Sequence, residues 1–207
     1  MIDSTLLVLF MPTFFVVSIT PGMCMTLAMT LGMSIGLRKT LWMMWGELLG
    51  VAIVAIAAVL GVSAAMLQFP QVFSVLKLLG AGYLIYVGIN MWRLKGKLVI
   101  SQVGNNNIQI DRQQLFYQGL ITAIANPKGW AFMVSLLPPF INPELALPVQ
   151  LMVLISIILC SEFICMMIYA TGGKTIGKLL TQQKNVKLLN KISGSLMMLV
   201  GLWLALG

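Results

Sequence analysis

Glu47 and Glu162 are carboxylic acids inside long apolar runs, and Lys128 is an amine inside a third, at the junction Asn126, Pro127, Lys128, Gly129. Ionisable groups in such surroundings are costly unless they pair, line a water-filled path or meet a polar ligand. The two acids suit an ammonium group or a proton, and the lysine suits a carboxylate. Either acid could instead pair with Lys128 or with Lys77, and Glu47, about six residues into its run, could lie at the membrane interface. The proline at position 127 removes a backbone donor and clashes with the preceding turn, so the apolar stretches 115–125 and 130–140 meet at a discontinuity. Unwound backbone survives at membrane depth only where it lines a cavity or is buried in protein. A second break, Thr20, Pro21, Gly22, interrupts the first apolar run. At each break the following helix, starting at Gly22 and Met23 or at Lys128 and Gly129, would turn unpaired N–H groups and the positive end of its dipole toward an anion. For Pro21 the plain alternative is a packing kink.

The elements that must hold these groups follow from composition. Of 207 residues, 59% are hydrophobic and 9% charged, and the mean hydropathy is +0.98. One soluble core of this size could not hide so much apolar surface, so the chain reads as an all-α polytopic membrane protein. About 20 residues at 1.5 Å each cross the hydrocarbon. Six runs meet that length, at about 5–31, 41–67, 72–92, 115–137, 149–171 and from the lysine-rich stretch 172–190 to Gly207. Helices 1 and 4 are the ones broken, at Pro21 and Pro127. Residues 69–71 form a turn, 93–114 a polar linker, and Pro138, Pro139, Asn142, Pro143 and Pro148 punctuate the connection after the fourth run. The first run has neither a basic flank nor a small-residue cleavage pattern and reads as a retained helix.

Charge gives the orientation, because Lys and Arg collect in cytoplasmic loops. Eleven of the 13 basic residues follow spans one, three and five, leaving only Lys77 and Lys128 within or beside apolar runs. Both termini are therefore expected on the non-cytoplasmic side. The same distribution assigns the net charge of +8 to the bilayer rather than to nucleic acid. The linker splits the chain into repeat 1 (1–94), linker (95–113) and repeat 2 (114–207), within one transmembrane domain. Lys77, Gly80 and Gly88 in span three are echoed by Lys191, Gly194 and Gly201 in span six, as Pro21 is by Pro127. Three spans per half would make the repeats inverted.

Cys24, Cys160 and Cys165 all lie in apolar runs and the chain has no histidine, so neither a metal site, nor a disulfide, nor any cofactor is expected. No serine–base or paired-carboxylate pattern points to an enzyme. Gly46 and Gly50 form a small-xxx-small motif suited to helix packing. Sixteen methionines suit apolar filling.

Three motifs together carry a resemblance. Thr20, Pro21 and Gly22; the stretch 76–88 with Leu79, Gly80, Ala81, Tyr83, Leu84, Tyr86 and Gly88; and Gly119 with Asn126, Pro127 and Lys128 are similar to the LysE/RhtB family of bacterial amino-acid exporters. The likeness covers nearly the whole chain. Met23 stands where that family usually has a second proline, and Val51 where it usually has a polar residue. The resemblance implies a bacterial inner-membrane carrier that exports amino acids or related small zwitterions, with protons as coupling ion, by alternating access. The binding residues expected are Pro21, Gly22, Asn126, Pro127, Lys128, Gly129, Glu47 and Glu162. The partners are amino-acid substrate, protons, the lipid bilayer and, where copies associate, a homo-oligomer. A small-solute channel is the alternative, since broken helices also line pores.

Overall fold

The computed structural model describes residues 4–68, 70–93, 111–137, 140–142, 145–173 and 183–206. Among the described residues it is helical throughout, with helices α1 (Ser4–Ile19), α2 (Met23–Ile35), α3 (Leu37–Gln68), α4 (Pro70–Arg93), α5 (Arg112–Ile124), α6 (Pro127–Leu136), α7 (Leu147–Thr171) and α8 (Gln183–Leu206). Most of the linker, together with Pro138, Pro139, Pro143, Lys174, Lys178 and the side chain of Lys77, lies outside the described residues.

Both expected breaks are present. The chain bends by 56° between α1 and α2. Between α5 and α6 only Ala125 and Asn126 are non-helical. Pro127 begins α6, where a missing N–H costs nothing, and the Asn126 side chain accepts from Lys128 N at 3.1 Å. Gly36 alone separates α2 from α3, at φ +81°, a conformation that favours glycine. Among the described residues α3 and α7 each carry 25 residues apolar enough to cross a bilayer, and the bent α1–α2 pair qualifies as a third span. Two expected boundaries are corrected. Pro70 and Gln71 belong to α4 rather than to a turn, because proline fits a first helical turn. The stretch expected to be loop up to 190 is helical from Gln183, since polar residues extend a helix without raising hydropathy.

Helix α3 packs on α5, α6 and α7; α7 packs on α1 and α2; and α4 packs on α8. Gly46 and Gly119 make the α3–α5 seam close. A Cβ at Gly46 would overlap the Phe116 carbonyl, and one at Gly119 would overlap the Met43 carbonyl. On the α4–α8 seam a Cβ at Gly88 would stand 2.6 Å from Gly194 O, one at Gly194 2.6 Å from Gly88 O, and one at Gly201 2.8 Å from Ala81 O.

The interior divides into two apolar layers. One gathers Phe10, Phe14, Val54, Leu84, Leu137 and Ile158, with the Phe10 ring edge-on to Phe140 at 5.0 Å. The other gathers Met25, Met29, Met43, Leu115, Met166 and Tyr169. The exposed cations Arg38, Lys39, Arg93 and Arg112 stand at helix ends on the side of this second layer. There Arg112 lies 5.5 Å from the Trp42 ring and Lys191 5.1 Å from Trp92, pairings suited to a membrane interface. Outward faces carry Val8, Ile121, Met152 and Leu199, each more than half exposed. In an aqueous protein that surface would be a liability; in lipid it is the expected exterior.

Candidate functional site

Between the two layers the helices turn polar. In α1 the change comes at Ser18, after Val17 of the first layer and before Met25 of the second. In α7 it comes at Ser161 and Glu162, between Ile158 and Cys165. The break of α5–α6 occupies the same level, between Leu115 and Phe132. Each polar residue thus falls where a helix has passed out of one apolar layer and not yet entered the other.

These groups line one cavity. Its wall includes Ser18, Thr20, Gly22, Cys24, Glu47, Asn126, Lys128, Gly129 and Glu162, closed by Phe14, Val51, Phe132 and Met133. Six of the eight residues expected from sequence therefore meet there: Gly22, Glu47, Asn126, Lys128, Gly129 and Glu162. Pro21 and Pro127 are not on the wall; they shape the breaks that deliver their neighbours. The free volume is about 50 Å³, space for a few waters. Small-ligand pockets run to several hundred Å³, so the site is contracted around its own polar groups.

Lys128 is the central strut. Its Nζ donates to the carbonyls of Val17 and Thr20, each at 3.3 Å. Those oxygens belong to the last turn of α1 and the residue after it, where a helix leaves acceptors unpaired and its dipole is negative. A charge on the second break thereby satisfies the first. Two of the ammonium's three donors are used in this way, and the Phe132 ring lies 5.8 Å from Nζ. The Tyr169 hydroxyl adds a bond to Ile19 O at 2.9 Å.

The two acids differ. Glu162 accepts from the Ser18 hydroxyl at 2.9 Å. Glu47 is 1% exposed, and among the described residues neither of its carboxylate oxygens has a hydrogen-bond partner. Burial of Glu47 also removes the interfacial alternative raised by its place in the sequence. Across the cavity α2 begins at Met23 behind Gly22, with no side chain capping its first N–H groups. On α6 the equivalent groups are partly engaged by Asn126, whose Nδ2 also donates to Cys24 Sγ at 3.7 Å. The site therefore offers an uncapped helix amino terminus, one cation and two carboxylates of unequal satisfaction.

Ser18, Thr20 and Cys24 were not singled out by sequence as binding residues. Small polar side chains are common in helices, and only tertiary placement turns these toward the break. The signal available was proximity: each lies within three residues of Pro21.

A polar cavity with buried charges, walled by broken helices and wrapped in an apolar exterior, defines an integral membrane protein built around an internal solute site. The chain belongs to the LysE type translocator family, whose sequence profile matches residues 15–207. That is a family of membrane transporters rather than enzymes. A homoserine/homoserine lactone efflux protein of Salmonella typhimurium is 30% identical over 188 residues, covering 91% of this chain and 90% of the relative. Its Salmonella typhi counterpart is 31% identical over the same length, with the same coverage. An uncharacterized membrane protein of Vibrio cholerae is 27% identical over 190 residues, covering 92% and 91%. No solved structure matches the chain.

Proposed function

We propose that the protein is a secondary transporter that exports amino acids or related small zwitterions across the bacterial inner membrane, coupled to protons, by alternating access. The observation that carries this reading is the convergence of both helix breaks and both intramembrane acids on one cavity between two apolar layers. In the proposed site the substrate carboxylate lies at the uncapped start of α2, near Gly22, assisted by Gly129 and the third donor of Lys128. The ammonium lies toward Glu47 and Glu162, with Asn126 between the poles. The names of the Salmonella relatives support small amino compounds as cargo and efflux as direction.

Six spans in two inverted halves would supply the motion. Repeat 1 comprises α1 to α4 and repeat 2 comprises α5 to α8, with Pro21 and Pro127 at the breaks of their first spans. Each half's second span, α3 or α7, packs on the broken span of the other half. The α4–α8 seam has the same exchange. One sequence offset carries Gly88 onto Gly201 and Ala81 onto Gly194, and so carries the Gly88–Gly194 contact onto Ala81–Gly201. Halves related in this way can rock about a fixed site. The basic ends of the helices face the cytoplasm in this arrangement, and both termini face away from it. Because the cavity is contracted, rocking must widen it before cargo enters.

The test is a screen of amino acids and their toxic analogues in bacteria expressing the protein. Expression should protect against a small set of analogues and speed efflux of the parent amino acid, with saturable kinetics. Efflux that rises linearly with concentration would instead indicate a channel, and no protection across the set would remove the export reading.

A further inference from the structure

The cavity holds one negative charge more than its own groups balance. Lys128 offsets one of the two carboxylates, and Glu162 has in addition the Ser18 hydroxyl. Glu47 is left buried with no hydrogen-bond donor among the described residues, yet it faces the cavity. A buried carboxylate without a partner is among the most expensive groups a protein can carry, so a positive charge or a proton must sit beside it in every populated state. The titratable groups facing it are Cys24 from α2, Glu162 from α7 and Lys128 from α6. Helix α5 brings only the backbone of Gly119 to within contact of the Glu47 amide. Lys128 is held on the far side by the Val17 and Thr20 carbonyls.

We infer that Glu47 accepts one unit of positive charge at a time, alternately a proton and the ammonium group of the cargo, so that the cavity exchanges one for the other. This rests on the export reading above and narrows its cargo. With a proton on Glu47 the cavity is neutral. It is neutral again when the proton is replaced by a molecule of net charge +1. A zwitterion brings its own carboxylate and restores the excess negative charge. The favoured cargo is therefore an α-amino compound whose carboxyl is masked as a lactone, ester or amide, or one that carries a second amine. Exchange of such a monocation for a proton moves no net charge across the membrane, whereas exchange of a zwitterion for a proton moves one.

The test uses the full-length protein in liposomes, in mildly acidic buffer where L-homoserine lactone is a monocation and L-homoserine a zwitterion. The lactone is expected to exchange against a pH gradient at least about tenfold faster than homoserine. An imposed potential of about 100 mV should leave the steady-state lactone gradient unchanged while shifting that of homoserine by about 50-fold, the effect of one charge. Glu47→Gln, close in shape, should abolish proton-driven movement of both compounds. Equal rates for the two, or a lactone gradient that shifts with potential as homoserine does, would overturn the inference while leaving export intact. Retained proton-driven exchange in Glu47→Gln would overturn it as well. If the wild-type protein moves neither compound, the export reading itself fails and the inference falls with it. The wild-type comparison decides the matter even if the Glu47 variant is poorly folded.

Discussion

Efflux by Lys128→Met protein, made at wild-type levels, is expected to fall at least tenfold. Methionine matches the length of the lysine stem but offers no donor. The Val17 and Thr20 carbonyls then lose their partner at the end of α1, and the two carboxylates of the cavity lose the one cation that offsets them. Each buried polar group left unsatisfied costs about 1–3 kcal/mol, and about 1.4 kcal/mol on a rate-limiting step is a factor of ten. Lys128→Arg should recover part of the activity, because a guanidinium keeps the charge but its planar fork does not reproduce a tetrahedral donor set. Export at the wild-type rate by Lys128→Met protein would remove the lysine from both binding and coupling.

Gly119→Val is expected to have the largest effect on the folded protein itself. The space beside Gly119 is filled by the Met43 carbonyl and the Glu47 amide, both backbone, so no side-chain rotation can relieve the overlap. Helices α3 and α5 must separate. Overpacking of a core commonly costs about 1–3 kcal/mol, and more where the neighbour is rigid. The yield of monodisperse protein in size-exclusion chromatography should drop about tenfold, with a lower melting temperature in what remains. Gly82→Ala, where an added Cβ meets nothing within 4 Å, is the matched control and should be neutral. A stable, active Gly119→Val protein would mean that the α3–α5 seam is looser than described.

What was legible in the sequence was the chemistry that breaks helices. Proline and asparagine act locally, so the discontinuities at Pro21 and Asn126–Pro127, and even the capping of α6 by Asn126, follow from residue type. Charges in apolar runs were equally visible, because nothing in hydrocarbon tolerates them idly. The direction in which those charges point was not. Lysine near a predicted anion site suggests a ligand for cargo, yet Lys128 spends two donors on the carbonyls of the other break, a fact that exists only once α6 lies against α1. Likewise, Ser18 acquires its role through Glu162, 144 residues away. The close seams at Gly46, Gly119, Gly88 and Gly194 belong to tertiary structure too. Glycine spacing announces close packing but not the partner helix.

The cavity between the two breaks is where the cargo is placed, and photocross-linking with a diazirine-bearing amino-acid analogue locates cargo directly. In purified full-length protein, peptide mass spectrometry should find the label on cavity residues such as Met25, Phe132 and Met133, and excess unlabelled substrate should suppress it. Suppressible label confined to the outward groove of Met11, Ser156 and Ile164, or to the basic ends of the helices, would contradict the account.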